Sequence, residues 1–506
     1  MPATEWARIK GAGTKTINGR PVKERLNPFP MWELPETMQD AILLSASLGY
    51  SYLWYDNACI PKGTDWDSEA SIMHEVYGNA VFTLVASSST KATDHLIHDR
   101  LAWTHRSKAC KLRGRWLHNA VVPLDRVRFQ SPVSQRAWTL QEERLSPRVV
   151  YWTGQQWYWS CSERQLAEME MGGLQSTSPS SDETPRSCPQ RFLELCHTGD
   201  EEQLHDEWLD VVEAYTPRDL VEPKDRFLAI AGLAVRFYNA KAVNGGTAVT
   251  EDYLAGLWKD NLARHLAWSV VSAVDPRHNL QHIAPSWSWA SLPLRVRTRT
   301  KAPFKPSKHF ELVAVEHVDE AHAKSIPDQA AAEAGSTSTD YVNRGRAVEE
   351  RGRGVKVVEV QGRFRRFIAE DAQEVLWDAI ECQRADQRSS FDFRAFPGHN
   401  IYARHRADGR IMSRDAHSGE VVGQLDYLVQ CGSAKSADQQ NTAYLPEGAE
   451  KELMCLELGE SAMLLLVRSR NCDRPPDSYK RVGVAIGYGN RKGFFYGCDT
   501  KRIRLV

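Results

Sequence analysis

The stretch from Leu34 to Ala86 constrains the fold most, because it twice follows a helical period with a short apolar run. Pro35 and Glu36 suit a first helical turn, Met38, Ile42 and Ser45 fall on one stripe, and Gly49 supplies the stop. Tyr50 to Tyr55 (YSYLWY) is nearly continuous aromatic and apolar residues, the composition of a strand covered on both faces in a parallel sheet. The segment DWDSEASIMHEVYGNA then spaces Ile72, Val76 and Ala80 four apart, with Met73 and Tyr77 alongside and Asp65 or Asp67 as cap. A second amphipathic helix is expected there. Val81 to Ala86 (VFTLVA) reads as a second buried strand. The order α, β, α, β implies an α/β sheet with right-handed crossovers, and open sheets of that kind bind ligands at the carboxyl edge of their strands.

A chain of 506 residues exceeds one ordinary core, and at roughly 100 to 200 residues per domain two or three units are expected. Residues 31–170 read as the α/β core. In it a short helix over Ala137 to Arg144 precedes a hairpin that turns at Thr153 to Gln156 and carries Trp152, Trp157 and Trp159. Residues 171–190, containing GGLQSTSPSSDETPRSCP, have linker composition. Residues 191–300 read as helical, with Trp208, Val212 and Tyr215 on one face, and 301–354 as a connector with a loose loop. From 355 to 506 the character is β-rich, with strands expected at Val355 to Val360, Ala462 to Val467 and Val482 to Tyr488.

The charge balance excludes some function classes. Lys plus Arg is 64 and Asp plus Glu is 65, so no global field attracts nucleic acid, and no such partner is expected. The first residues lack the apolar core of a secretory signal, and apolar runs such as Ala462 to Val467 are too short to cross a bilayer. A cytoplasmic location without a membrane span follows as the expectation. The ten Cys contain no CxxC pair, which fits a reducing compartment and small buried side chains rather than zinc or a disulfide framework.

Two groups of residues could carry chemistry. Asp56 and Cys59 fall just beyond the first expected strand, where a carboxylate can orient a ribose or act as base and a thiolate can attack; the bland alternative is a capping Asp and a core Cys. Arg136, Trp138, Gln141 and Glu142 would put a cation, an aromatic face, an amide and a carboxylate on neighbouring turns of one short helix. The alternative is a buried ion pair of Arg136 with Asp56 or Glu142 that locks helix to sheet. GAGTKT at Gly11 to Thr16 lacks P-loop spacing, and Gly487, Gly489 and Gly493 suit hairpin turns. His95 with His98, and His278 with His282, have ligand-like spacing without a regular face. No cofactor and no metal site are expected. Trp287 and Trp289 in SWSW read as core or domain interface, or as the lining of an apolar pocket.

Three blocks taken together resemble a known family. LPETMQDAILLSASLGYSYLWYDNACI, DWDSEASIMHEVYGNAVFTLVASSS and QRAWTLQEERLSPRVVYW, with Cys161 trailing, occur in the order found in the fungal heterokaryon incompatibility (HET) domain family. EAYTPRDLVEPKDRFLAIAGLA, YLAGLWKDNLARHLAW and APSWSWAS are similar to the helical region that commonly follows that domain, so the resemblance spans roughly residues 31 to 295. It implies an effector of allorecognition and programmed cell death, self-association or contact with other proteins of that pathway, and a core distantly similar to TIR domains. The family's usual opening strand has no counterpart before Leu34. The expected fold is therefore a TIR-like open α/β sheet lacking an evident first strand, followed by a helical region and a β-rich C-terminal region. That departure and the sixteen Trp motivate an alternative: a HET-like protein recruited to secondary metabolism, for example a cofactor-free cyclase or pericyclase acting on a hydrophobic small molecule. Whether the chain is catalytic, and through which residues, the sequence leaves open.

Overall fold

In the computed structural model the described residues are 16–17, 20–21, 30–60, 66–97, 110–113, 115–117, 122–168, 189–198, 201–243, 252–271, 283–298, 304–317, 354–366, 410–415, 419–425, 453–460, 462–469, 475–486, 495 and 497–506. All but residues 189–190 of the expected linker, all but residue 354 of the loose loop, the GAGTKT segment before Thr16, the three late glycines, His98, His278 and His282 lie outside them. The fold is mixed α/β with a β-rich C-terminal sheet. It divides into two compact units, one of residues 1–207, 218–248 and 327–349, the other of 208–217, 249–326 and 350–506.

The first unit begins with the expected helix, α1 (Glu36–Ser47), which follows Pro35 and buries Met38, Ile42 and Ser45. Gly49 ends it with φ +83°, a conformation that costs a glycine little. The next segment departs from expectation. Ser51 to Tyr55 forms no regular element and pairs with no strand among the described residues, and Tyr52 is 93% exposed. Its apolar composition is used differently: Tyr50 lies edge-on to Phe82 at 5.5 Å and Trp54 edge-on to Tyr77 at 5.5 Å, so side-chain packing replaces a ladder. The loop expected at Asp56 is a single helical turn, α2 (Asp56–Cys59).

The second long helix, α3 (Trp66–Gly78), forms where the period placed it. Its buried side follows Ala70, Met73 and His74, whereas Val76 and Ala80 are only partly buried and the Ile72 side chain is outside the described set. The strand β1 (Thr83–Ala86) comes next, then α4 (Leu124–Gln130) and α5 (Trp138–Leu145). Three further strands, β2 (Arg148–Trp152), β3 (Trp157–Cys161) and β4 (Gln165–Ala167), complete a four-stranded sheet in the order β1-β2-β3-β4. Only β1 and β2 are parallel, so the expected open parallel sheet is a small mixed one. The β2–β3 hairpin is the expected one, with Gly154 at φ +78° in its turn and Trp152 facing Trp157.

Leu124, Val149, Tyr151, Tyr158 and Ala167 pack together on one side of this sheet. Helices α6 (Arg191–Thr198), the start of α7 (Glu201–Tyr215) and α8 (Leu228–Val243) finish the unit. Helix α8 sits close against α3 and α5 at Gly232, where a β-carbon would come within 2.3 Å of the His74 Cβ.

In the second unit Trp208, Val212 and Tyr215 are all buried, as their spacing implied. Trp287 and Trp289 are core side chains: Trp289 donates its indole N–H to the Gly256 carbonyl at 3.1 Å, and the Trp287 carbonyl accepts from Trp268 at 3.0 Å. Gly256 has φ +91°, and a side chain there would strike the Trp289 ring. The C-terminal sheet contains β5 (Glu311–His317), β6 (Val355–Arg366), β7 (Arg410–Asp415), β8 (Gly419–Leu425), β9 (Met454–Gly459), β10 (Ala462–Arg468), β11 (Ser478–Ile486) and β12 (Thr500–Leu505). Its path runs β5-β6-β9-β10-β11-β8-β7, and β12 pairs both with β6, antiparallel, and with β11, parallel. The strands β6, β9, β10, β11 and β12 thus form a closed ring, while β5 and β7 lie at the two ends of the path. Leu453, Cys455, Met463, Leu465, Val482, Ala485 and Phe495 cluster within this unit. Among the described residues no helix is long and apolar enough to cross a membrane.

Candidate functional site

Asp56, Arg136 and Glu142 come together in the first unit, although 80 or more residues separate the first from the other two in the sequence. Asp56 opens α2 directly after Tyr55. Arg136 stands between a 3-10 turn (Val133–Gln135) and α5, with extended backbone at φ −80° and ψ 135°. Glu142 lies on α5 itself, one turn further along.

The carboxyl of Glu142 is pushed up to about 7, first by burial and then by the negative charge of Asp56; Arg136 and Arg218 pull the other way, and Tyr77 hydrogen-bonds to it. Tyr77 in turn is held well above the usual phenol range by burial and by the same two carboxylates. Tyr55 is raised by burial and by Asp56. A carboxyl poised near neutrality can both give and accept a proton at cellular pH.

The next residue along α5 behaves in the opposite way. Glu143 is buried, which alone would raise it, but Arg128 binds it through Nε at 2.6 Å and a second nitrogen at 2.8 Å, and the Tyr151 hydroxyl donates at 2.6 Å. Its carboxyl is held at about 2. Burial opposes the Arg128 charge, yet Glu143 more than offsets this and raises the guanidinium above its ordinary range. Next to Glu143, Arg144 pairs with Glu207 at 2.5 Å, both nearly fully buried. Adjacent residues of one short helix therefore carry a strained carboxyl facing Asp56 and a satisfied one facing Arg128.

The other candidates have separate tasks. Gln141 is buried, and its Oε1 accepts from the Gly232 backbone N–H at 2.8 Å, tying α5 to α8. Trp138 packs with Trp54 and Tyr77 against Ala70, Met73 and Leu228. Cys59 turns back under its own helix, where its sulfur accepts from the Tyr55 N–H at 3.4 Å. Arg136 is an exposed residue rather than half of a buried ion pair. His95 sits 3.2 Å from Asp40, with its own side chain exposed.

Sequence reasoning did not find Tyr77, Arg218 or the Arg128–Glu143–Tyr151 group. Tyr77 counted only as a packing residue, and a phenol on an apolar stripe was the one available hint. Arg218 comes from a loop whose place in the fold no local pattern announces.

Comparison with known proteins bears on this region. Residues 9–142 match the family model described as heterokaryon incompatibility protein (HET). That region is similar to the HET domain. All six candidate residues fall inside it, with Glu142 at its last position. The HET match starts at residue 9, upstream of the residue 31 expected from the motifs, and takes in the short pairing of Thr16–Ile17 with Arg20–Pro21. No curated protein and no solved structure matches the chain.

Proposed function

We propose that this chain is an effector of heterokaryon incompatibility whose HET domain triggers growth arrest or cell death through the polar site at Asp56 and Glu142. The match over residues 9–142 supports the class of function, and the near-neutral Glu142 carboxyl beside Asp56 is the single observation that supports this site as its working part. In this reading Glu142 exchanges a proton with a bound polar substrate, Asp56 keeps it from ionising early, and exposed Arg136 receives an anionic group on that substrate. Hydrolysis of a nucleotide, which the likeness of the family to TIR domains implies, belongs to this reaction class. The apolar-ligand alternative has no comparable support, since Trp287 and Trp289 are fully occupied in a core.

The test is inducible expression of the full chain in a filamentous fungus, with NAD measured in the same cells. Growth arrest by the wild-type chain, lost in Glu142→Gln and Asp56→Asn at equal protein level, is the expected result. Normal growth with the wild-type chain at high expression overturns the effector reading, and arrest that both variants retain overturns the site.

A further inference from the structure

Residues 218 and 219 lie outside the matched HET region, yet they enclose the backbone of Arg136 from both sides. The Asp219 N–H donates to the Gln135 carbonyl at 2.6 Å, and the Asp219 carbonyl accepts from the Ala137 N–H at 2.9 Å, so the two segments form an isolated parallel bridge. Arg218 adds its side chain: one guanidinium nitrogen donates to the Arg136 carbonyl at 3.3 Å and to the Thr139 hydroxyl oxygen at 3.0 Å. Thr139 itself donates to the carbonyls of Val133 and Arg136, both at 2.8 Å. The dipeptide thus engages the carbonyls of Gln135 and Arg136 and the N–H of Ala137, while the N–H groups of Gln135 and Arg136 donate to the carbonyls of Pro132 and Val133.

We infer that Arg218 is a positioning residue of the HET site, and that the Arg218–Asp219 latch fixes the approach to α5 and with it the placement of Arg136 and Glu142. This rests on the reading of Asp56 and Glu142 as the working site. The latch contributes in two ways. Its hydrogen bonds hold Arg136 in one backbone conformation, and its guanidinium charge acts on both carboxylates of α5, Glu143 more strongly than Glu142. The charged and titratable groups around Glu142 are Asp56, Arg136, Tyr77 and Arg218; those around Arg218 are Glu143, Arg128, Arg144 and Glu142. Arg218 thus acts on both Glu142 and Glu143 from a loop beyond the matched region. A fork-shaped donor suits a position that serves a carbonyl and a hydroxyl together, which a lysine ammonium does less well. The HET site is accordingly completed by a segment 82 residues further along the chain than Arg136.

The experiment uses the full chain and two variants, Arg218→Gln and Arg218→Lys, each with and without Glu142→Gln. Melting temperature is followed from pH 4 to 9, and the difference made by Glu142→Gln gives the titration midpoint of Glu142 in each background. In Arg218→Gln the midpoint is expected to rise by about half a pH unit or more, since a nearby positive charge is removed, and growth arrest is expected to fall. Arg218→Lys, which keeps the charge, should restore most of the midpoint. A residue that only stabilised the fold would lower the melting temperature at every pH and leave the midpoint in place, and that result overturns the inference. Should Arg218→Gln fail to fold, Arg218→Lys decides: a smaller upward shift than half a unit with reduced arrest supports the latch, and wild-type values in both overturn it. If the wild-type chain arrests nothing while the midpoint still moves, the effector reading fails and the latch stands.

Discussion

Glutamine substitutions at Glu142 and Glu143 are chemically identical and one residue apart, yet the structure requires them to change stability in opposite directions. Glu142 is held at about 7 against an ordinary 4.5, so the folded chain binds its proton more tightly than the unfolded chain. The sign follows: between about pH 4.5 and 7 the unfolded state loses that proton first, and stability falls as the pH rises through this window. At about 1.4 kcal/mol per pKa unit the full cost above pH 7 is about 3 kcal/mol, and the partial exposure of Glu142 makes that an upper figure. Glu142→Gln removes it and is expected to raise the melting temperature at pH 8 by roughly 5 °C, with almost no change at pH 4.5. Glu143 is held at about 2, so its ion pair contributes stability that is present above pH 4.5 and lost as the pH falls through 2. Glu143→Gln leaves the buried Arg128 charge without its carboxylate, at a cost of about 3–5 kcal/mol at pH 8. Differential scanning calorimetry of the two variants and the wild-type chain across pH 4 to 9 makes the comparison. A Glu142→Gln chain destabilised at pH 8, or one whose effect does not depend on pH, would refute the assignment of a strained carboxyl to this position.

Two further substitutions probe the surroundings of the site. Gly232→Ala places a methyl group within 2.3 Å of the His74 Cβ and 2.9 Å of the Gln141 Oε1, so it should destabilise the first unit by about 1–3 kcal/mol, read as a lower denaturant midpoint. Tyr77→Phe deletes the hydroxyl that favours the charged form of Glu142, so the window of falling stability should extend to higher pH; an unchanged window in the same titration would show that the hydrogen bond carries no weight.

Local pattern was a good guide wherever an element is stabilised by contacts near in sequence. The stripe of Met38, Ile42 and Ser45, the stop at Gly49 and the turn between Trp152 and Trp157 are each set by neighbours within one helical or hairpin repeat. Pattern failed at Tyr50 to Tyr55. Five apolar and aromatic residues out of six satisfy the composition of a buried strand, but a strand also needs a partner edge, and that is a property of the whole sheet. The candidate site shows the same division. Its residue types could be picked out in two separate stretches of the matched region, but Gln141 and Trp138 proved to hold helices together, while Tyr77 and Arg218 entered from elements that no spacing rule connects to Glu142.

By itself the sequence determined the helices that became α1, α3 and α5, the stop at Gly49, that the last third is β-rich, and that the three blocks resembling the HET family occur in order. Only the tertiary structure decided that Glu142 and Glu143, equivalent in composition and adjacent on one helix, hold their protons so differently. The physical reason is that the charge state of a buried carboxyl depends on what faces it. Helix geometry turns one residue toward Asp56 and the next toward Arg128.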